Sequence, residues 1–180
     1  MEEKKWKKHK KISFLLVGLL IVVVVAFFYF DYLEKQRVYN SLPNGTILSS
    51  EPRYLEGLGE LKIENGTDLD AVVKLVNNYS KRSICTVYMK AKSTYRIREI
   101  SDGVYDLYFA HGRDWDKESQ KFLVNNSYSK FEDNFDFTTE YEYQSDGVNR
   151  IYSILEITLH PVVGGSAKTD RISENEFSQF

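Results

Sequence analysis

From Ile12 to Phe30 the chain reads ISFLLVGLLIVVVVAFFYF, an uninterrupted apolar run without a charge. As a helix rising about 1.5 Å per residue, this run is about 29 Å long, close to the hydrocarbon thickness of a bilayer. The expectation is a single transmembrane helix over 12–30. Asp31, Tyr32 and Leu33 follow where a signal peptide would carry a small-x-small cleavage site, and the run is longer than a signal core, so the helix is expected to be retained as the anchor. A lipid anchor is excluded because the one cysteine, Cys85, lies far downstream.

The flanks set the expected orientation. Residues 1–11, MEEKKWKKHKK, carry six lysines against Glu2 and Glu3, whereas Asp31 and Glu34 offset Lys35 and Arg37 beyond the run. The positive-inside rule makes 1–11 a basic cytoplasmic tail and puts the C-terminal domain outside the cell membrane, with Trp6, Tyr29 and Tyr32 suited to the two interfaces. The chain has a net charge of -2, so removing the basic tail leaves about -6 for the exported part. That excludes a nucleic-acid footprint there, and the tail itself is explained by topology and by attraction to anionic lipid. A single cysteine makes no intrachain disulfide, so the exported domain must rest on an apolar core. Cys85 keeps the two-residue phase of Val87 and Met89 and reads as a small buried side chain.

Residues 31–58 read as a stalk or linker, with LPNGT and SSEPR stopping any continuation of the membrane helix. From residue 59 to 180 the period changes to two. Leu61 and Ile63 precede an Asn65-Gly66 turn, and Ala71, Val73 and Leu75 are in phase. ICTVYMKA and TYRIREI follow, and after Ser101-Asp102-Gly103 come Tyr105, Leu107 and Phe109 on one face. NFDFTTEYEY aligns Phe135, Phe137, Thr139, Tyr141 and Tyr143. RIYSILEITLHP aligns Ile151, Leu155, Ile157 and Leu159, and the terminal ISENEFSQF is expected to fray. Short alternating runs between turns predict an all-β domain, an antiparallel β-sandwich of about seven strands.

The elements NGTDLDAVVKL, ISDGVYDLYFAHGRDWD, SYSKFED and ITLHPVVGGSAKT, in that order between Leu61 and Phe177, resemble an uncharacterised family of bacterial membrane-anchored β-rich domains. The resemblance implies a bacterial envelope setting and brings no assigned reaction, ligand or catalytic residue. The stretch from Tyr95 to Leu107, YRIREISDGVYDL, also resembles the hairpin of transthyretin-like and carboxypeptidase-regulatory-like β-sandwiches, which implies a fold and not an activity.

Chemistry-bearing residues crowd HGRDWD. Asp114, Asp116 and Glu118 alternate as oxygen ligands for calcium would, but DWDKESQKFLVN lacks the Gly and distal Glu of such a loop. The ordinary account is a loop released from its strand at Gly112, with Asp102 and Asp106 as turn and solvent-face residues. Arg113 and Lys117 serve as counter-charges, and Trp115 plugs one end of the sandwich. His111 and His160 lie at expected strand ends with no third ligand at motif spacing, and Ser129, Ser153 and Ser166 form no nucleophile motif. GGSAKT fails as a phosphate loop because Ala167 and Val162 hold the positions that need glycine, leaving Gly164-Gly165 as a turn.

Thirteen Tyr, eleven Phe and two Trp are many for a small sandwich. Cross-strand pairs that fill and cover a sheet are one account, and a partner or glycan surface is the other. Asn44, Asn65, Asn78 and Asn125 match the glycosylation pattern, the first two also as ordinary turns.

Two functions follow. The leading expectation is a non-enzymatic binding or structural module of the cell envelope, with the lipid bilayer and an envelope protein or glycan as partners, without cofactor, metal or nucleic acid. The alternative is a hydrolase or metal-dependent enzyme using His111, Asp114, Asp116 and His160, which requires those four side chains to converge.

Overall fold

The computed structural model describes residues 18–33, 37–160 and 167–180. The chain divides into two units, Met1–Val38 and Tyr39–Phe180. In the first, the described part of the apolar run is helix α1, 18–33, with its apolar side chains exposed. Among the described residues no helix is long and apolar enough to cross a membrane. The tail 1–11 and residues 12–17 of the expected span lie outside the described residues, as do 34–36 and the Gly164-Gly165 turn.

The second unit is all-β and mostly antiparallel, but its described residues form twelve strands where about seven were expected. These are β1 (Thr46–Ser50), β2 (Gly59–Asn65), β3 (Asp70–Asn77), β4 (Ser83–Met89), β5 (Ser93–Ile100) and β6 (Gly103–Asp116). They continue with β7 (Lys121–Phe131), β8 (Phe135–Phe137), β9 (Thr139–Gln144), β10 (Gly147–Tyr152), β11 (Ile154–Thr158) and β12 (Thr169–Arg171). One sheet runs β1-β4-β3-β6-β7-β12, with β8 also paired to β6; a second runs β11-β2-β5; β9 and β10 pair only with each other. Among the described residues the one parallel ladder joins β11 to β2.

The alternation read in the sequence marks one face of the large sheet. Ala71, Val73, Leu75, Cys85, Val87, Met89, Tyr105, Leu107 and Phe109 pack with Leu61, Ile63 and Ile97 of the small sheet in a sandwich-like core. Each buried Val, Leu, Ile, Met or Phe side chain among them contributes about 1.5–3 kcal/mol relative to exposure. Cys85 is buried there, and burial pushes its thiol up to about 11, so at neutral pH it is an unreactive core residue.

The opposite face is buried too, which two-residue alternation did not anticipate. Val72, Val76, Tyr88, Tyr108, Ala110, Trp115, Phe122, Tyr128 and Phe177 form a second cluster, against which Leu42, Leu48, Ile172 and Phe180 pack. This changes the expected boundaries. The linker expected over 31–58 is shorter, because the β unit begins at Tyr39, β1 pairs with β4, and Leu42 and Leu48 insert into the second cluster. Ser41 Oγ and Tyr88 Oη both donate to Asp70 Oδ2, at 2.8 and 2.5 Å, fastening that segment to β3.

The terminal ISENEFSQF does not fray. Ser173 caps the short helix α2 (Glu174–Phe177) by accepting from the Glu176 amide, and Lys74 Nζ donates to the carbonyls of Phe177 and Phe180 at 2.9 and 2.6 Å. The two turns expected at Asn65-Gly66 and Ser101-Asp102-Gly103 are corners between sheets, since β2 and β5 belong to one sheet and β3 and β6 to the other. The Asn65 amide is enclosed there, donating to the carbonyls of Leu69 and Lys90.

Candidate functional site

HGRDWD is strand and not loop: β6 continues to Asp116 against β7, and only after it does the chain turn. Gly112 therefore releases nothing. A Cβ at Gly112 would lie 2.3 Å from the Phe122 Cβ, so glycine permits the close approach of β7. The β6–β7 register shifts between His111 and Arg113, and Asp114 adopts φ +60. That break breaks the two-residue alternation and places Trp115 in the same cluster as Tyr108 and Ala110. Trp115 is buried, edge-on to Tyr88 and Phe122 at 5.6 and 5.1 Å, so it serves packing within the second core.

The carboxylates around it are committed locally. Asp114 Oδ1 accepts from the Asn40 backbone and side-chain amides at 3.1 and 2.9 Å. Asp116 closes the β6–β7 turn, accepting from the amides of Glu118 and Ser119 and from the Ser119 hydroxyl, which holds its carboxyl below the usual range. Only the histidines come together. His111 is buried, edge-on to Phe109 at 5.3 Å, and burial followed by the charge of His160 lowers it to about 4. His160 stacks into the space over Gly66, where a Cβ would fall 2.1 Å from its Cε1. The nitrogens His111 Nε2 and His160 Nδ1 have no hydrogen-bond partner. Among the described residues no three His, Cys, Asp or Glu side chains group to hold a metal ion.

Asp106, read from sequence as solvent-facing, is instead a buried charge. Its Oδ2 accepts from Lys81 Nζ at 3.1 Å and Asn78 Nδ2 at 3.0 Å, while Lys130 Nζ lies 3.4 Å from Oδ1. Burial pushes this carboxyl up, but the Lys81 hydrogen bond and the charges of Lys130 and Lys81 outweigh it, and the net shift is downward. The cluster ties the β3–β4 turn to β6 and β7. Nothing in the local pattern VYDLYF distinguishes an aspartate facing water from one facing two lysines brought from elsewhere in the chain.

The feature that stands apart is the β9–β10 hairpin. The runs NFDFTTEYEY and RIYSILEI, expected as two long strands, each break at one residue. Thr138 separates β8 from β9 and Ser153 separates β10 from β11. The breaks meet: the Ser153 amide donates to the Thr138 carbonyl at 3.1 Å, and the Thr138 amide donates to Ser153 Oγ at 3.0 Å. Asp102 accepts from the Thr139 amide and hydroxyl at 3.0 and 2.8 Å, and Ser153 O accepts from the Glu60 amide. Before the breaks Phe137 is fully buried; beyond them every residue of the β9–β10 pair is exposed except half-buried Thr139.

Six of the large hydrophobics exposed on the β unit fall in this short stretch, namely Tyr141, Tyr143, Val148, Ile151, Tyr152 and Ile154. Register places Tyr141 opposite Arg150, Tyr143 opposite Val148 and Thr139 opposite Tyr152, so Tyr141, Tyr143, Val148 and Tyr152 share one face of the ribbon with Thr139 and Arg150. The other face pairs Glu140 with Ile151 and Glu142 with Asn149. An anchored base and an apolar, aromatic face suit a docking arm, since tyrosine offers contact area with little entropy to lose. The abundance of aromatics was the sequence signal; the single-residue breaks at Thr138 and Ser153 were not legible.

No protein-family model, curated protein or solved structure matches the chain.

Proposed function

We propose that this chain is a membrane-tethered, non-enzymatic binding module of the cell envelope, held by a single transmembrane helix over 12–30 with its N-terminus in the cytoplasm and its β-sandwich outside. The uncharged run and its asymmetric flanking charge support the tether. The observation that carries the binding reading is the β9–β10 arm. Large apolar side chains elsewhere on the β unit are covered or scattered, whereas here four of them, Tyr141, Tyr143, Val148 and Tyr152, line one face of a ribbon whose base is bonded to Asp102 and Glu60. The resemblance to bacterial membrane-anchored β-rich domains is in keeping with an envelope setting. The enzyme alternative loses support because Asp114 and Asp116 are engaged with Asn40 and Ser119, away from any shared group with His111 and His160.

The test is photocrosslinking of the full chain in intact cells, with the photoreactive residue at Tyr143 or at Tyr79, an exposed turn residue outside the arm. The expected result is a discrete adduct from position 143 and none from 79. Equal labelling at both positions, or none at either, sinks the docking reading. A tag after Phe180 should be removed by protease added outside the cells, and protection of that tag overturns the topology.

A further inference from the structure

We infer that the occupant of the arm is an extended peptide segment in which basic and apolar residues alternate, added as a third strand along β9; this rests on the docking reading above. Three features lead there. First, β9 pairs only with β10, so its outer edge offers backbone donors and acceptors that no strand among the described residues takes up. Second, TEYEYQ alternates chemically: Tyr141 and Tyr143 project to one face of the ribbon, Glu140 and Glu142 to the other.

Third, the acidic row lacks its counter-charge. The one arginine of the arm, Arg150, lies on the aromatic face opposite Tyr141, while the cross-strand neighbours of Glu140 and Glu142 are Ile151 and Asn149. Among the described residues neither glutamate is in an ion pair. A strand laid beside β9 has its own two-residue period, so it meets the tyrosines with one set of side chains and the glutamates with the other. Apolar residues in the first set and Lys or Arg in the second complete both faces. An acidic strand is repelled, and a wholly apolar one leaves the carboxylates uncompensated.

The experiment uses the full chain in detergent micelles and a short fluorescent peptide alternating lysine with valine, followed by fluorescence polarisation. Three control peptides carry glutamate in place of lysine, glycine in place of valine, or N-methyl groups on the backbone. The expected result is binding of the lysine–valine peptide at least about tenfold tighter than any control. Glu140→Lys with Glu142→Lys should invert the preference toward the glutamate–valine peptide, and Tyr141→Ser with Tyr143→Ser should weaken binding of the original. Because these side chains are exposed, melting of both variants should match the parent, which separates lost binding from lost fold.

Equal affinity for the lysine and glutamate peptides, or for the N-methylated and unmodified ones, overturns the strand assignment. An adduct from position 143 at twice the chain mass overturns it in favour of a second copy. Absence of peptide binding with the Tyr143 adduct retained removes the basic strand and leaves the docking arm. Absence of both removes the arm as well.

Discussion

Strand β6 and the β9–β10 arm are built from the same materials and have opposite fates. VYDLYFA and TEYEYQ both combine tyrosines with acidic residues, and both were read as strands with large side chains in phase on one face, Tyr105, Leu107 and Phe109 in the first and Tyr141 and Tyr143 in the second. In β6 both faces are enclosed, so even its aspartate finds two lysines; in the arm both faces are open, and its glutamates have no ion-pair partner among the described residues. The difference lies in what the rest of the chain lays over each strand. The small sheet covers one face of β6 and the 39–48 segment and α2 cover the other face of its sheet, whereas β9 and β10 pair only with each other and contribute no residue to either cluster. Alternation specifies faces, and layering decides which of them become core.

If that contrast holds, the largest effect of a single change should come from β6. Phe109 packs on Phe131 at 5.4 Å between the two sheets, so Phe109→Ala should cost about 3–5 kcal/mol in denaturant unfolding. A cost near that of a surface change would show that the enclosed strand is no more essential than the arm.

Acid should act next, and again on β6. His111 is held neutral in the fold, at about 4 against 6.5 for the free side chain, so in that window the unfolded chain binds a proton that the folded chain does not. Its contribution is complete above pH 6.5 and is lost as the pH falls toward 4, about 3 kcal/mol in all. His111→Gln should flatten that part of the stability profile, and an unchanged slope would mean that His111 is not the group responsible.

Asp106→Asn should follow, at about 1–3 kcal/mol, since it leaves Lys130 and Lys81 without the charge they face. The loss should shrink little with added salt, because the carboxylate is buried; strong salt dependence would place Asp106 at the surface. The smallest effect is expected in the arm, where Tyr143→Ser should change stability by less than about 0.5 kcal/mol while abolishing crosslinking from a photoreactive residue placed instead at the neighbouring position 141. Marked destabilisation there would turn the arm into a structural element.

Much of the large sheet could be read directly. Ala71, Val73, Leu75, Val87, Leu107 and Phe109 lie on the core face their spacing assigns, and Cys85 lies with them. The candidate constellation was less legible. His111, Asp114, Asp116 and His160 were noticed for their chemistry, but the structure brings only the two histidines within electrostatic reach. Hydrogen-bond partners such as Asn40 for Asp114 come from segments far off in the chain, and no local spacing encodes them.

By itself the sequence determined the β character of the unit and the side of each central strand that carries apolar atoms, because the two-residue period is a property of the extended backbone. Tertiary structure decided that Tyr88, Trp115 and Phe177 share a second core, that Asp106 is buried, and that Thr138 and Ser153 cut two long alternating runs into core strands and a free arm. The physical reason is that burial is a relation between distant segments. A strand displays two faces wherever it lies, but only the packing of other layers against it removes a face from water.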